Sequence, residues 1–324
     1  MTPRPLLVAS APLAVVLALA GCAPAAGPVD PEAPASGALT LTNCGTEVTF
    51  DTAPERVVTI KSTSTEMLLA LGLGDRIVGE AFPDGPVPDE WADAAAGIPL
   101  LAERMPSEEA VLELEPDLVY AGWESAFSAD AAGERAELAA LGVASYVQPA
   151  ACRTAGAPDR LDFEEVFREI EEVAAIFRVD PTELVDAQRA ELAAVTPDER
   201  GLSALWWSSG TDTPYVGGGT GAPQMVLDAV GLANIAGDLE QTWSSLGWES
   251  ILAADPDVIV LVDADWNTAQ HKIEYLESNP ATAELSAVLG SRYLIVPFPA
   301  GEAGVRSVAA ATSLAAQLAE LDIP

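Results

Sequence analysis

Aromatic side chains recur at one kind of position in this 324-residue chain, at or just beyond the ends of short β-branched runs. Phe82 follows Ile77–Ala81, Trp123 follows Leu118–Ala121, Trp207 follows Ser203–Trp206, Trp266 follows Val258–Val262, and Phe298 follows Tyr293–Val296. Aromatic residues make up only 6% of the chain, so this gathering is not a consequence of composition. In an open α/β sheet a ligand sits beyond the carboxyl ends of the strands. Rings collected there would hold a flat or conjugated molecule by stacking, although individual rings in such places also serve as core or rim packing.

Cations are scarce enough to be read one at a time. Lys61, one of two lysines with Lys272, comes directly after Val57–Ile60, while Arg153 and Arg306 follow the runs near Val147 and Phe298. Each could meet an anionic group of a ligand or balance nearby carboxylates. The loop Gly217-Gly218-Gly219-Thr220-Gly221-Ala222 precedes the helical pattern Pro223–Val230. Gly218, Gly219 and Thr220 could therefore aim backbone N–H groups at a phosphate or carboxylate, or form a plain turn into a helix. No strong strand precedes this loop and no acid follows in a clear second strand, so it does not make a dinucleotide fingerprint. In Lys61-Ser62-Thr63-Ser64-Thr65-Glu66, Thr63 and Glu66 have capping-box spacing for a helix over Met67–Leu71. Ser62 and Ser64 could offer hydroxyls to a ligand.

Catalysis finds little support. His271 is the only histidine and no Gly-x-Ser-x-Gly elbow occurs, which argues against a serine triad. Without Cys-x-x-Cys or paired histidines there is no recognisable metal site either. The expectation is a protein that is not an enzyme and carries no metal or cofactor; an exported enzyme on an α/β scaffold is the competing reading.

The elements that must position these residues follow from the whole composition. With 15 Lys plus Arg against 50 Asp plus Glu, the formal charge is -35, which excludes nucleic acid and repels anionic lipid. A 49% hydrophobic content over this length suits two domains. Arg4, the apolar stretch Leu6–Ala20 and Leu19-Ala20-Gly21-Cys22 look like a bacterial lipoprotein signal, with Cys22 as the lipidated residue. Residues 1–21 are then the signal and 22–37 a Pro, Ala and Gly-rich tether. Cys44 and Cys152 remain in a compartment where disulfides persist, and are expected to pair. From Leu39 onward, strands alternate with helical patterns in the rhythm of βαβ units. Two helical stretches, Phe163–Phe177 and Pro181–Val195, separate a first strand series from a second. The expected organisation is an N-terminal lobe over 38–160, a helical bridge over 161–198 and a C-terminal lobe over 199–324. An internal echo supports it: Glu109 to Pro116-Asp117 matches Glu249 to Pro256-Asp257, each a short helix stopped by proline before a buried strand.

Taken together, Arg56–Ile60, Thr65–Gly79, Glu109–Tyr120, Gly217–Ile235 and Glu249–Leu261 resemble the periplasmic-binding proteins of iron-siderophore, haem and cobalamin ABC importers. The resemblance covers nearly all of the mature chain. It implies two Rossmann-like α/β lobes with parallel sheets joined by a single long backbone helix, and a ligand in the cleft between them. It also implies an ABC permease as partner, a monomeric receptor held at the outer face of the cell membrane by its lipid, and docking of the permease on Glu109 and Glu249. Asn43-Cys44-Gly45, Trp123 and Val296-Pro297-Phe298-Pro299 are similar to the subgroup associated with the coenzyme F(420)-0 precursor, a deazaflavin bearing a phosphate and a carboxylate. Lys61 departs from the wider family, which usually has a small or apolar residue there. A ferric siderophore, haem or cobalamin is the alternative ligand within the same class.

Overall fold

Two strands, β1 (Leu39–Asn43) and β2 (Thr46–Phe50), pair antiparallel with Asn43 opposite Thr46. Their two-residue turn, Cys44-Gly45, has positive φ at both positions, the conformation a tight hairpin requires. A computed structural model describes Met1 and residues 37–323 except Thr154, and the described residues from Gly37 onward form one compact unit. The expected signal after Met1, Cys22 and all but the last residue of the tether lie outside the described residues.

The first sheet is all parallel. It is built from β3 (Val57–Ile60), α1 (Ser62–Ala70), β4 (Ile77–Ala81), α2 (Ala92–Ala95), β5 (Leu100–Ala102), α3 (Glu108–Glu113), β6 (Leu118–Ala121), α4 (Arg135–Ala140) and β7 (Ala144–Val147), with strand order β5-β4-β3-β6-β7. Its central strands β3 and β6 are buried at every position, because helices cover both faces of a parallel sheet.

The connection to the second sheet is helical. α5 (Phe163–Phe177) starts at Asp162, whose side chain accepts from the Glu165 N–H, and buries Phe163, Val166, Phe167, Ile170, Val173 and Phe177 on one stripe. It stops at Arg178, which turns left-handed at φ 58, and α6 (Thr182–Ala194) begins after Pro181. The single long helix implied by the resemblance is thus α5 followed by a second, separate helix. Tyr120 and Tyr146 of the first sheet donate to Glu169 and Glu172 of α5 at 2.8 and 2.6 Å. Burial pushes the Glu169 carboxyl up to about 8.

The second sheet comprises β8 (Ser203–Ser209), β9 (Tyr215–Gly217), α7 (Ala222–Val230), β10 (Ala233–Asn234), β11 (Trp243–Ser245), α8 (Trp248–Ala254), β12 (Val258–Asp263), α9 (Ala269–Ser278), α10 (Ser286–Leu289), β13 (Tyr293–Pro297) and α11 (Ser307–Glu320). Its order is β11-β9-β8-β12-β13, with β10 also pairing β8, and only β9 and β11 introduce antiparallel pairs. One apolar core runs from the first sheet through α5 to Trp206, α7 and α11. No described helix is long and apolar enough to cross a membrane.

The internal echo has a shared structural task. Asp117 accepts from the N–H groups of Glu55 and Arg56 at 2.7 and 3.0 Å, ahead of β3. Asp257 accepts from the N–H and hydroxyl of Ser203 at 2.8 Å each, where β8 begins. In both halves the Pro-Asp corner pins the start of the neighbouring strand.

Candidate functional site

A cavity of about 420 Å³ is lined by residues at the carboxyl ends of β6, β7, β8, β12 and β13. Trp123 and Gln148 come from the first sheet's side; Ser208, Ser209, Trp266, Phe298 and Glu302 come from the second. Trp266 is 63% exposed at the mouth and meets Phe298 edge-on, ring centres 5.9 Å apart. Two further rings, Tyr215 and Trp243, complete the wall. They stack across β9 and β11 with centres 5.9 Å apart and planes 14° from parallel, as diagonal cross-strand neighbours can.

The disulfide between Cys44 and Cys152 ties the hairpin turn to this wall, since Cys152, Ala150, Ala151 and Arg153 all line the cavity. The Arg153 N–H in turn donates to the Glu124 carboxylate.

Several expected contacts are engaged elsewhere. Trp207 is fully buried in the second sheet's outer core, where it packs on Trp248 at 5.4 Å and Tyr275 at 6.0 Å and donates to the Ser209 carbonyl. It lies inside β8, not beyond it. Alternation sends Trp206 and Trp207 to opposite, equally covered faces, and Ser208 and Ser209 reach the cavity instead. The Gly218 and Gly219 N–H groups donate to Thr242 and Leu239 carbonyls at 3.0 and 2.9 Å. A Cβ at either glycine would collide with the 237–241 backbone, so these glycines permit close packing and present no anion cradle. Thr220, next in the chain, does line the cavity.

The segment after β3 is rearranged in the same sense. α1 begins at Ser62 with Lys61 as N-cap and no capping side chain, so Thr63 and Glu66 form no capping box. The Ser64 hydroxyl donates to the Ile60 and Lys61 carbonyls at 2.9 Å, and the Ser62 hydroxyl accepts from the Asp84 N–H at 2.8 Å. Both serines are buried, and neither lines the cavity. Glu66 pairs with Arg306, which donates through Nε at 2.7 Å and through Nη2, and also reaches the Pro86 carbonyl at 2.8 Å. Arg306 is therefore an internal tie and not an anion-holding group of the cavity. Desolvation raises the Glu66 carboxyl to about 7 even so.

Lys61 is also internal. Its ammonium pairs with Asp84 and stands 3.7 Å from the centre of the Trp123 ring, 4.1 Å from Phe82 and 5.3 Å from Phe298. Only 2% of Lys61 and 4% of Asp84 side-chain surface is exposed. Phe82, expected at the ligand, instead meets Trp123 edge-on at 5.7 Å and closes this box from behind. Backbone strain concentrates here: Lys61 has φ 81 with ψ 148, and Phe82 has φ 52, where side-chain-bearing residues cost about 1–3 kcal/mol. Gly122 permits the approach, because a Cβ there would strike Thr63 and Lys61. The second lysine, Lys272, is buried as well and donates to Val262 and Asn267 carbonyls at 2.6 Å. His271 is exposed in the first turn of α9. Glu109 and Glu249 are exposed in the first turns of α3 and α8.

The family described as periplasmic binding protein matches residues 57–292. An uncharacterized ABC transporter substrate-binding lipoprotein of Bacillus subtilis strain 168, YvrC, is 25% identical over 279 residues, 83% of this chain and 81% of that protein. Among solved structures, a periplasmic binding protein from Veillonella parvula dsm 2008 superposes with a TM-score of 0.78 at 26% identity, covering 89% of this chain and 100% of that one. An ABC-type Fe3+-hydroxamate transport system from Saccharomonospora viridis DSM 43017 gives 0.73 at 28% identity, covering 86% and 98%.

Proposed function

The chain belongs to the periplasmic binding protein family, whose members hold solutes without transforming them, and from that premise we propose that it is the solute receptor of an ABC importer for a flat, conjugated ligand. The observation that carries the reading is the ring-lined cavity, with Trp123 from one sheet facing Trp266, Phe298 and the stacked Tyr215–Trp243 pair from the other. Rings contributed from two sides suit a molecule enclosed between lobes 38–160 and 199–324, joined through 161–198. In this proposal the receptor acts as a monomer anchored by lipidated Cys22 at the outer face of the cell membrane.

The anionic deazaflavin precursor coenzyme F(420)-0 fits the rings, and Arg153 on the wall could meet its negative tail. Lys61, Arg306, Gly218 and Gly219 no longer support it, because their donors are engaged within the protein. A ferric siderophore is the second reading, favoured by the hydroxamate-transport description of the Saccharomonospora structure. Mass spectrometry and absorbance of protein purified from its native host should show a stoichiometric conjugated compound. A ferric charge-transfer band would instead establish the second reading, and a solute that is neither conjugated nor iron-bound would overturn both.

Permease docking through Glu109 and Glu249 is proposed from their exposure at the first turns of helices that run back from the strand ends. Glu109→Arg or Glu249→Arg should lower uptake by about tenfold or more and leave ligand affinity unchanged, since charge reversal at a contact acts on the complex alone. A fall in ligand affinity would assign the residue to the cavity.

A further inference from the structure

The charged groups behind the Trp123 side of the cavity do not balance, and only one of them, Glu302, lines it. Three carboxylates, Glu66, Asp84 and Glu302, share this region with two cations, Lys61 and Arg306. Asp84 takes Lys61 and Glu66 takes Arg306. Glu302 has no ion-pair partner among the described residues: burial raises its carboxyl, and what opposes that shift is a 3.0 Å hydrogen bond from Trp123 Nε1 and, more weakly, the charge of Lys61. It is partly buried and faces the cavity beside Trp123, Trp266 and Phe298.

The wall's own cation, Arg153, does not correct this. It is exposed at the rim, where water and salt weaken its field. Glu302 lies deeper, where the same charge acts through a lower dielectric. A carboxylate flanked by aromatic faces is the chemistry that recognises ammonium and other organic cations, and Lys61 already occupies such a box just behind this wall.

Resting on the reading of the cavity as a site for flat solutes, we infer that it selects those bearing a positive charge, seated against Glu302 between the Trp123, Trp266 and Phe298 rings. This reverses the charge that the sequence resemblance implies for the ligand. A formal charge of -35 on the whole chain assists by concentrating cations near its surface.

Three tricyclic probes of similar shape test it by quenching of tryptophan emission: protonated 9-aminoacridine, neutral acridone and acridine-9-carboxylate. The cation should bind the unaltered protein about tenfold or more tighter than the carboxylate, and Glu302→Gln should erase that preference while leaving acridone affinity within about twofold. Equal binding of all three, tighter binding of the carboxylate, or a charge order that Glu302→Gln leaves intact overturns the inference alone. Failure of all three to bind overturns the flat-solute reading and the inference with it. Should Glu302→Gln not fold, the order of affinities on the unaltered protein decides.

Discussion

Lys61→Met lowers the free energy of unfolding at pH 7.5 by about 3–5 kcal/mol, the range for removing one partner of a buried ion pair. The Asp84 carboxylate, 4% exposed, would be left buried with no ion-pair partner, opposed only by the weaker field of Arg306. Burial raises its pKa and Lys61 is the main force opposing that shift, so the variant's Asp84 is driven toward its protonated form. Its remaining donor is the Ser62 N–H at 3.2 Å, too little to stand in for an ammonium. Lys61→Met with Asp84→Asn should recover most of the loss, because a neutral amide among rings carries no charge to desolvate. Urea unfolding followed by tryptophan emission measures both. A loss below about 1 kcal/mol, or a double variant no better than the single one, would show that the pair is solvated and that the box contributes nothing.

How much of this could be read from the chain depended on the range of the interactions involved. β3, β6 and α5 have the boundaries their apolar runs and end signals imply, because burial on both faces writes an apolar string and an Asp cap marks a helix start, and β4, buried at alternate positions, matches its run as well. β5, β9, β10 and β11 are two or three residues long and leave no period to detect. Tyr215 and Trp243 went unnoticed for that reason: they sit on β9 and β11. The β1–β2 hairpin is legible, with Leu39 and Leu41 alternating with threonines ahead of Asn43-Cys44-Gly45, a tight-turn sequence as well as a subgroup mark.

The site divides along the same line. Trp123, Trp266 and Phe298 stand on the connections after strands and do line the cavity, since position beyond a strand end is a local property. Trp207 failed because β8 runs three residues past Trp206, and one step along a strand decides which face a ring takes. The fate of the cations was invisible. Lys61 and Asp84 are 23 residues apart, Arg306 and Glu66 are 240 apart, and nothing in spacing announces either pairing. A buried lysine at a strand end reads the same in sequence whether it greets a ligand or a neighbouring aspartate.

Arg306→Met should destabilise the protein by about 3–5 kcal/mol at pH 8.5 and by much less at pH 5. Glu66 is 1% exposed, and its carboxyl stands at about 7 against an ordinary 4.5, raised by desolvation, Asp84 and Glu80 and lowered only by Arg306. Between those two values the folded protein binds more protons at this group than the unfolded chain does. Its contribution to stability is therefore fullest below pH 4.5 and declines as pH rises through 7. Removing Arg306 takes away the only cation that favours the ionised form, so the folded pKa climbs further and the decline continues to higher pH. The difference between variant and parent must then widen with pH from 5 to 9, and adding Glu66→Gln must flatten it. Unfolding free energies at several pH values read this directly. A difference that stays constant with pH would mean that Glu66 is already neutral in the native protein and that Arg306 acts through packing and its bond to Pro86. Because Glu66 stands on α1 and Arg306 precedes α11, the same variant should also loosen hydrogen-exchange protection across both elements together, which damage confined to one of them would not do.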